Sequence, residues 1–569
     1  MDYIKKYISN RARLIFAAPC FLGVFIVFVY GFHIKFLPAY IAAALPVLCF
    51  YAEKKKWRIR VLTLTALLLI GNIGWYFAMS SEHREYHKDF ETAFAIMKEH
   101  YVLDKEKDID WDKLYSKYEP LFKEADRLQD PVYDYELWQE YTGEFYDGHV
   151  EYVLKDEDDG LRSVIESYGN DYGLSLVRLS TGEYAAVNVE GYDNCYSIND
   201  EEDDYGFYRI DDEYHPADVS DKRLTLKNAG LHNGSIITKW NGKDITEYYD
   251  AVKYYLTQYP VKENEDFYRP MYVAGIGNTD RAPYAQRFDE DGGSVTISFL
   301  DENGTEQTVE APSLGAYTPR LMDTFSKIDS GVNITNLTWQ RVNDDTVLLR
   351  IREMAYDADT YAGVDYTVMT DKLREEILSY KDSGVKNIIF DLRANSGGSP
   401  WFVMSVAGLF APEGEYVESY STVIDEKSAT FKRGADGKYT KKEPLSYTGE
   451  DLWHDGQIVL LVNAMCVSAG DEMTYTMGEY PNVKVMGFTR TNSSCQAVTY
   501  ESLLNGDIAF SAVPNLDEES EPIIDTRPDR LGRTPFDEYI PMDAEAIKAI
   551  FDLGEDYALN YTQMHMDCL

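Results

Sequence analysis

Two turns in this sequence hold residues whose types and spacing suit acyl-transfer chemistry. In the first, a strand-like stretch from Val385 with the apolar residues Ile388, Ile389 and Phe390 passes through Asp391 into Leu392-Arg393-Ala394-Asn395-Ser396-Gly397-Gly398-Ser399. Glycines in such a turn let the backbone come close to a ligand and aim N–H groups at a negative oxygen. In acyl transfer that arrangement is an oxyanion hole. The same pattern also serves phosphate binding, but no P-loop lysine follows it here. In the second, Gln457–Asn463 runs into Ala464-Met465-Cys466-Val467-Ser468-Ala469-Gly470, and a helix is expected to start near Ser468. A hydroxyl at a helix N-terminus is exposed, and the backbone N–H groups after it are free to stabilise an oxyanion. A serine there also commonly does no more than cap the helix. On spacing alone both roles stay open for Ser468.

The elements around these turns point to a multidomain α+β or α/β protein. Thr346–Ile351, Val385–Leu392 and Gln457–Asn463 read as strands, Tyr366–Ser379 as a helix, and helical stretches follow the last two strands. That alternation predicts a largely parallel sheet. Upstream, Phe90, Phe94, Ile96 and Met97 recur at helical spacing, as do Leu114, Tyr118 and Leu121. This helical cap ends at Asp147-Gly148-His149, where a turn signal runs into an alternating strand. Strands and turns fill Tyr168–Thr257, interrupted by an acidic insertion over Asn194–Asp221. Asn228–Ile245 carries a glycine turn, an apolar strand and an Asn-Gly hairpin turn. It is similar to the end of a PDZ domain, a fold that binds peptides by strand addition.

At the N-terminus, Leu14–Phe32, Phe36–Ala52 and Val61–Ser80 are charge-free runs of 19, 17 and 20 residues. Each approaches the ~20 residues that cross a bilayer. Basic clusters at Lys5–Arg13 and Lys54–Arg60 assign both flanks to the cytoplasm. The expectation is a multi-pass cell-membrane protein with three transmembrane helices, a cytoplasmic N-terminus and an extracellular catalytic part. The expected domains are a membrane anchor (1–80), a helical cap (81–165), a PDZ-like domain (166–265), a linker with a β segment (266–344) and the core (345–569). The formal charge is −42, although the first 80 residues are basic. So acidic a surface repels nucleic acid. The six cysteines form no C-x-x-C pair, and no His-Glu-x-x-His motif is present. Neither a metal site nor a cofactor is expected. Cys466 and Cys495 are a conceivable disulfide pair.

Five motifs in one order carry a resemblance: Ile109-Asp-Trp-Asp112, Asp147-Gly148-His149, the PDZ-like segment, Asp391–Gly398 and Ser468-Ala469. From about Tyr86 to Lys548 the chain resembles the tail-specific, or carboxy-terminal processing, serine peptidases, in particular their tricorn-like branch. The resemblance implies a crotonase-like ββα core, a polypeptide substrate and Ser468 as nucleophile. Gly397 or Gly398, together with Ala469, would be the oxyanion donors. The processing branch uses a lysine after the serine, but the corresponding position here is Ser493 or Ser494, and Arg490 stays charged and cannot act as base. The tricorn-like branch uses a histidine at the end of the cap, and His149 holds that place. Its ordinary pKa near ~6.5 suits proton transfer. Gly148 stands where that branch has a serine. For the acidic partner, the tail offers Asp525, Asp529, Asp537 and Glu538, and Asp537, in a Pro-Asp-like turn, is the choice. The alternative is a catalytically degenerate relative that binds peptides or apolar ligands.

Overall fold

In the computed structural model, the apolar positions of the cap form three helices: α1 (Tyr86–His100), α2 (Trp111–Leu128) and α3 (Pro131–Gly143). The model describes residues 84–155, 168–189, 225–277, 293–329, 336–355, 366–425 and 430–566. The Asp110 side chain caps α2, and Asp130 caps α3 ahead of Pro131 at its first position, both favoured N-terminal signals. The helices bury an aromatic core. Phe90 stacks on Phe122 with ring centroids 4.6 Å apart, and Trp138 lies 4.8 Å from Phe122. Trp138 also stacks on Tyr152, at 4.6 Å and 4°. Tyr152 belongs to strand β1 (Glu151–Leu154), which begins two residues after His149.

The next layer is a five-stranded antiparallel sheet in the order β2-β3-β4-β5-β6. Its strands are Ser175–Arg178, Tyr184–Val187, Ile236–Trp240, Ser294–Leu300 and Glu306–Pro312. The Asn-Gly turn forms as the sequence suggests, with φ of 46° at Asn241 and 75° at Gly242, the pair of positive values a tight hairpin turn requires. Helix α4 (Lys262–Val273) packs on β2. Strands β5 and β6, which follow residue 265, complete this sheet. The insertion at Asn194–Asp221 lies outside the described residues.

After helix α5 (Thr318–Ile328) comes the core sheet, with β7 (Thr338–Arg341), β8 (Thr346–Arg350) and β9 (Asn387–Asp391). Helix α6 (Thr367–Asp382) links β8 to β9, and α7 (Pro400–Phe410) follows β9. Two antiparallel pairs lie next in the chain: β10 (Gly414–Thr422) with β13 (Lys441–Gly449), and β11 (Ile424–Asp425) with β12 (Thr430–Phe431). Strand β14 (Gln457–Leu461), helix α8 (Ala469–Met477) and strand β15 (Val483–Gly487) return to the core. Strands β16 (Ala497–Ser502) and β17 (Gly506–Val513) then form a sheet with β1, and β18 (Glu538–Tyr539) joins the core edge. The core order is β18-β15-β14-β9-β8-β7, parallel except at β7. Four of the five residues in β9 and in β14 are buried, as in a sheet covered on both faces. A C-terminal helix, α9 (Tyr557–His565), closes the fold. Residues 85–569 form one compact unit.

The expected fold class is corrected in one respect. What the described residues show is an α/β fold of helices and sheets, and nothing among them supports three N-terminal transmembrane helices. Among the described residues no helix is long and apolar enough to cross a membrane. The longest, α2, carries eight charged side chains in its sequence, which a hydrocarbon core does not tolerate. The runs 14–32, 36–52 and 61–80 lie outside the described residues, and nothing described supports a lipid bilayer as a partner.

Because Trp138 joins the cap core to β1, Trp138→Ala should destabilise the fold by about 3–5 kcal/mol. Denaturant unfolding followed by circular dichroism measures this; a loss below about 1 kcal/mol would deny Trp138 that role.

Candidate active site

Strands β9 and β14 are parallel neighbours, with Asp391 opposite Leu461. The glycine turn and the Ser468 turn therefore leave the sheet side by side, at the C-terminal edge where α/β proteins place their sites. Side-chain amides lock the two turns together. Asn463 Oδ1 accepts the Ala394 N–H at 2.8 Å and the Met465 N–H at 3.1 Å. The Val467 N–H donates to Asn395 O at 3.0 Å, and Asn395 Nδ2 donates to Ile351 O at 2.7 Å. Below them Arg393 donates to Asp391 at 2.9 Å and to Asp556 at 2.8 Å. Burial alone would raise the Asp391 pKa, but Arg393, Arg352 and Arg350 outweigh it and hold the carboxyl at about 2.

Ser468 sits at φ 61° and ψ −127°, and its hydroxyl makes no capping bond to α8. A serine at positive φ is strained, and such strain gathers at functional sites. The backbone fixes it: Ser468 N–H donates to Ser494 O at 2.8 Å, and Ser468 O accepts the Glu472 N–H at 3.1 Å. Gly397 lies flush against it. A Cβ on Gly397 would meet Ser468 Cβ at 2.5 Å, and Gly397 itself has φ 89°. The Gly397 N–H is already given to Asn395 Oδ1 at 2.9 Å. The N–H groups of Gly398 and Ala469 have no acceptor among the described residues. Of the three expected oxyanion donors, the two unclaimed N–H groups are thus those of Gly398 and Ala469.

His149 is buried and reaches this region from the cap. Strand β1 is pinned to β17, with Glu151 opposite Ala509. Gly148 N–H donates to Ser494 Oγ at 2.8 Å, so Ser494 touches both the cap turn and the backbone of Ser468. A Cβ on Gly148 would overlap Asn492 Oδ1, so a serine at this position would require the Asn492 side chain to move. Asp147 Oδ1 accepts the His149 backbone N–H at 2.9 Å, and its Oδ2 accepts the hydroxyls of Tyr101 at 3.0 Å and Ser511 at 2.9 Å. Burial pushes the His149 pKa below its ordinary value; Asp147 and the backbone of Gln496 oppose this, and Lys107 adds to it. Among the described residues the Nδ1 atom has no hydrogen-bond partner. No hydrogen bond joins the ring to the Ser468 hydroxyl.

Asp537 does not reach His149. Its carboxylate binds Lys484 at 3.1 Å and the Val485 N–H at 2.8 Å, at the sheet edge between β15 and β18. Asp525, also among the acidic candidates in the tail, is fully buried beside the site. Its Oδ2 accepts Gln496 Nε2 at 2.6 Å. Burial, with Asp147 nearby, pushes the Asp525 pKa up to about 6. The apolar pair Ile523-Ile524 was the available signal that this acid turns inward. Asp471 on α8 accepts the N–H groups of Ser493 at 3.0 Å and Ser494 at 3.1 Å, and burial lifts its pKa to about 7. Sequence reading assigned no role to Asp147, Lys107, Asp471, Ser494 or Gln496. Cys466 and Cys495 are both free and buried. Among the described residues one side-chain group has metal-ligand proximity: His87, Glu91 and Glu119, on α1 and α2. Tyr115 already donates to Glu91, and Lys123 to Glu119.

Residues 345–509 match the model of Peptidase family S41, and residues 82–128 that of the Tricorn protease C1 domain. The stretch 345–509 thus carries the match to peptidase family S41. The chain is a serine-type peptidase, as the sequence resemblance implied. Among solved structures it is similar to mature CPAF complexed with lactacystin. That match has 10% identity and a TM-score of 0.50, and covers 84% of this chain and 98% of the other. It also matches a photosystem II D1 C-terminal processing protease, at 13% identity, TM-score 0.31, and 83% and 99% coverage. The match to tricorn protease has 13% identity and a TM-score of 0.30, covering 84% of this chain and 36% of that one. The CPAF likeness supports the fold alone.

Since a methyl group on Gly397 would push directly on Ser468 Cβ, Gly397→Ala should lower peptidase kcat at least about 100-fold. A variant that keeps wild-type kcat would show that this contact does not set the position of Ser468.

Proposed function

We propose that this S41 peptidase is an endopeptidase in which Ser468 is the nucleophile and His149 the general base. The observation that carries the reading is Ser468 itself. It is held at a strained backbone angle with its hydroxyl unused by the helix, beside two unclaimed N–H groups. In this reading the imidazole takes the Ser468 proton as the oxygen attacks a peptide carbonyl. The N–H groups of Gly398 and Ala469 receive the tetrahedral oxygen, and preorganised donors of this kind supply much of the rate acceleration in acyl transfer. The imidazolium then protonates the leaving amine, and water completes deacylation by the reverse path. Asp147 and Asp525 act on the ring indirectly, Asp147 through its charge and the turn it holds, Asp525 through Gln496. The mechanism needs the ring to close on the hydroxyl, and catalytic hydrogen bonds often tighten only around bound substrate.

The lack of a hydrogen bond between the His149 ring and the Ser468 hydroxyl favours a second reading, a relative that binds peptides without cutting them. A fluorophosphonate probe separates the two. Wild-type protein should label at Ser468, and Ser468→Ala should lose labelling together with about 10⁴–10⁶ of peptide-hydrolysis kcat. Labelling that persists in Ser468→Ala would remove Ser468 from the mechanism, and a wild-type chain that never labels would favour binding.

The pH profile checks the base. His149 must be neutral to accept a proton, so activity falls as pH drops through its folded pKa. Burial sets that pKa below the ordinary value, so the acid limb of kcat/KM should lie below pH ~6.5. Asp147→Asn removes a charge that favours the imidazolium and should move the limb lower still. A limb that stays put, or rises, in Asp147→Asn would count against His149 as the titrating base.

A further inference from the structure

We propose that Lys107 is a positioning residue of this site, its buried ammonium pinning the turn that presents His149 and placing a positive charge among the groups that face that turn. The inference rests on the His149 assignment above. Lys107 lies in the segment between α1 and α2, away from the strand ends that hold Ser468, yet it is buried. Its Nζ donates to Tyr146 O at 2.7 Å and to Thr526 Oγ1 at 2.7 Å, and Thr526 Oγ1 donates in turn to Tyr146 O at 2.9 Å. Three segments distant in sequence therefore close on one ammonium: the cap loop, the His149 turn and the stretch carrying Asp525. Tyr146 is left-handed, with φ 44°, and Arg530 covers its ring at 4.0 Å. A tyrosine in that conformation needs its surroundings to hold it, and the Lys107 bond to its carbonyl does so three residues before His149.

Burying an ammonium costs several kcal/mol unless other groups compensate. Among the described residues no carboxylate bonds to it directly. The charges facing it are Asp147 and Asp525, which favour the ammonium, and Arg527 and Arg530, which oppose it; burial is the largest effect and lowers its pKa. The same ammonium disfavours protonation of His149 and of Asp525. A lysine that served only as a clamp would be replaceable by a neutral group of equal length. This one also offsets the charge of Asp147, which would otherwise draw a proton onto the histidine.

The test uses the full chain with 13C-labelled histidine, the His149 signal being assigned by its loss in His149→Gln. In Lys107→Met the His149 midpoint should rise by about 0.5–1 unit, and the fluorophosphonate labelling rate should fall about 10-fold or more. Lys107→Arg, which keeps the charge, should leave the midpoint within about 0.2 unit of wild type. A purely structural lysine would lower Tm without moving that midpoint. A folded Lys107→Met with the wild-type His149 midpoint overturns the proposal. If that variant does not fold, Thr526→Val decides. It removes one acceptor of the ammonium and should shift the His149 signal and midpoint measurably, and an unchanged His149 titration overturns the proposal equally. The titration needs no activity, so a wild-type chain that fails to label sinks the peptidase mechanism while the Lys107 result still stands or falls on its own.

Discussion

Parallel strands that lie side by side must send their following turns into the same space. In this chain β9 and β14 are such neighbours, and nearly everything about the site follows from how their turns share it. One turn has to shrink for the other to be strained. Gly397 gives up its side chain and takes a left-handed φ, while Ser468 takes an angle that L-residues avoid. Neither turn would hold this shape alone. Asn395 and Asn463 supply hydrogen bonds that the irregular backbone cannot make to itself, and the Asp391–Arg393–Asp556 ion group anchors the base of the first turn. Burying unmatched polar groups costs more than a well-made bond returns, so the Asn395 side chain and the Asn463 Oδ1 are each tied to a specific carbonyl or N–H. The strain at Ser468 is kept by that network, not by α8, which it does not cap.

Around the turns lies an unusual density of buried acid. Asp147, Asp471, Glu472 and Asp525 are all buried within this part of the fold, with Glu418 facing Glu472 from β10. Burial pushes Asp471, Glu472, Asp525 and Glu418 upward in pKa. A raised carboxyl favours the folded state below its unfolded pKa, and this contribution is lost as pH rises through the folded value. For Asp525 and Asp471 those folded values are about 6 and about 7. The site is thus built from groups that cost stability at neutral pH, which is common where function and stability compete. Backbone N–H donors, hydroxyls and Gln496 offset part of that cost, and Lys107 is the buried cation among them.

Much of this architecture was legible in the sequence. The buried strands stood out by their apolar stretches Ile388–Phe390 and Ile458–Val462, and helical spacing marked the cap, because burial on two faces and on one face leave different periodicities. Ser468 and the glycine turn were found because each lies directly after such a run. Asp537 was chosen from a local turn pattern, whereas the acid that turns inward is Asp525, next to Ile523 and Ile524. Local pattern records the turn but not the direction its side chain takes after the chain has crossed the fold. The donors could not be fully sorted from sequence either. Gly397 and Gly398 look equivalent there, and only the side chain of Asn395, two residues earlier, claims the N–H of Gly397 and leaves that of Gly398. The membrane spans were read from the length of three charge-free runs and the basic clusters beside them, and those runs lie outside the described residues.

The remaining problem for the fold is to bring His149 across several hundred residues of chain without a covalent tether. Closing so long a loop costs entropy, though the cost grows only slowly with length. The registered pairing of β1 with β17 meets most of that cost, because a slip of one residue would reverse which face Tyr152 and Val153 present. Tyr152 then docks on Trp138, so the aromatic core of the cap and the register of β1 fix each other. The short turn between them has little freedom left, and Asp147, Gly148 and Tyr146 spend it on bonds to Ser511, Ser494 and Thr526. Position at the site is thus inherited from the packing of the cap. A change deep among those rings should therefore reach His149 before it reaches Ser468, whose own turn is held by the core sheet.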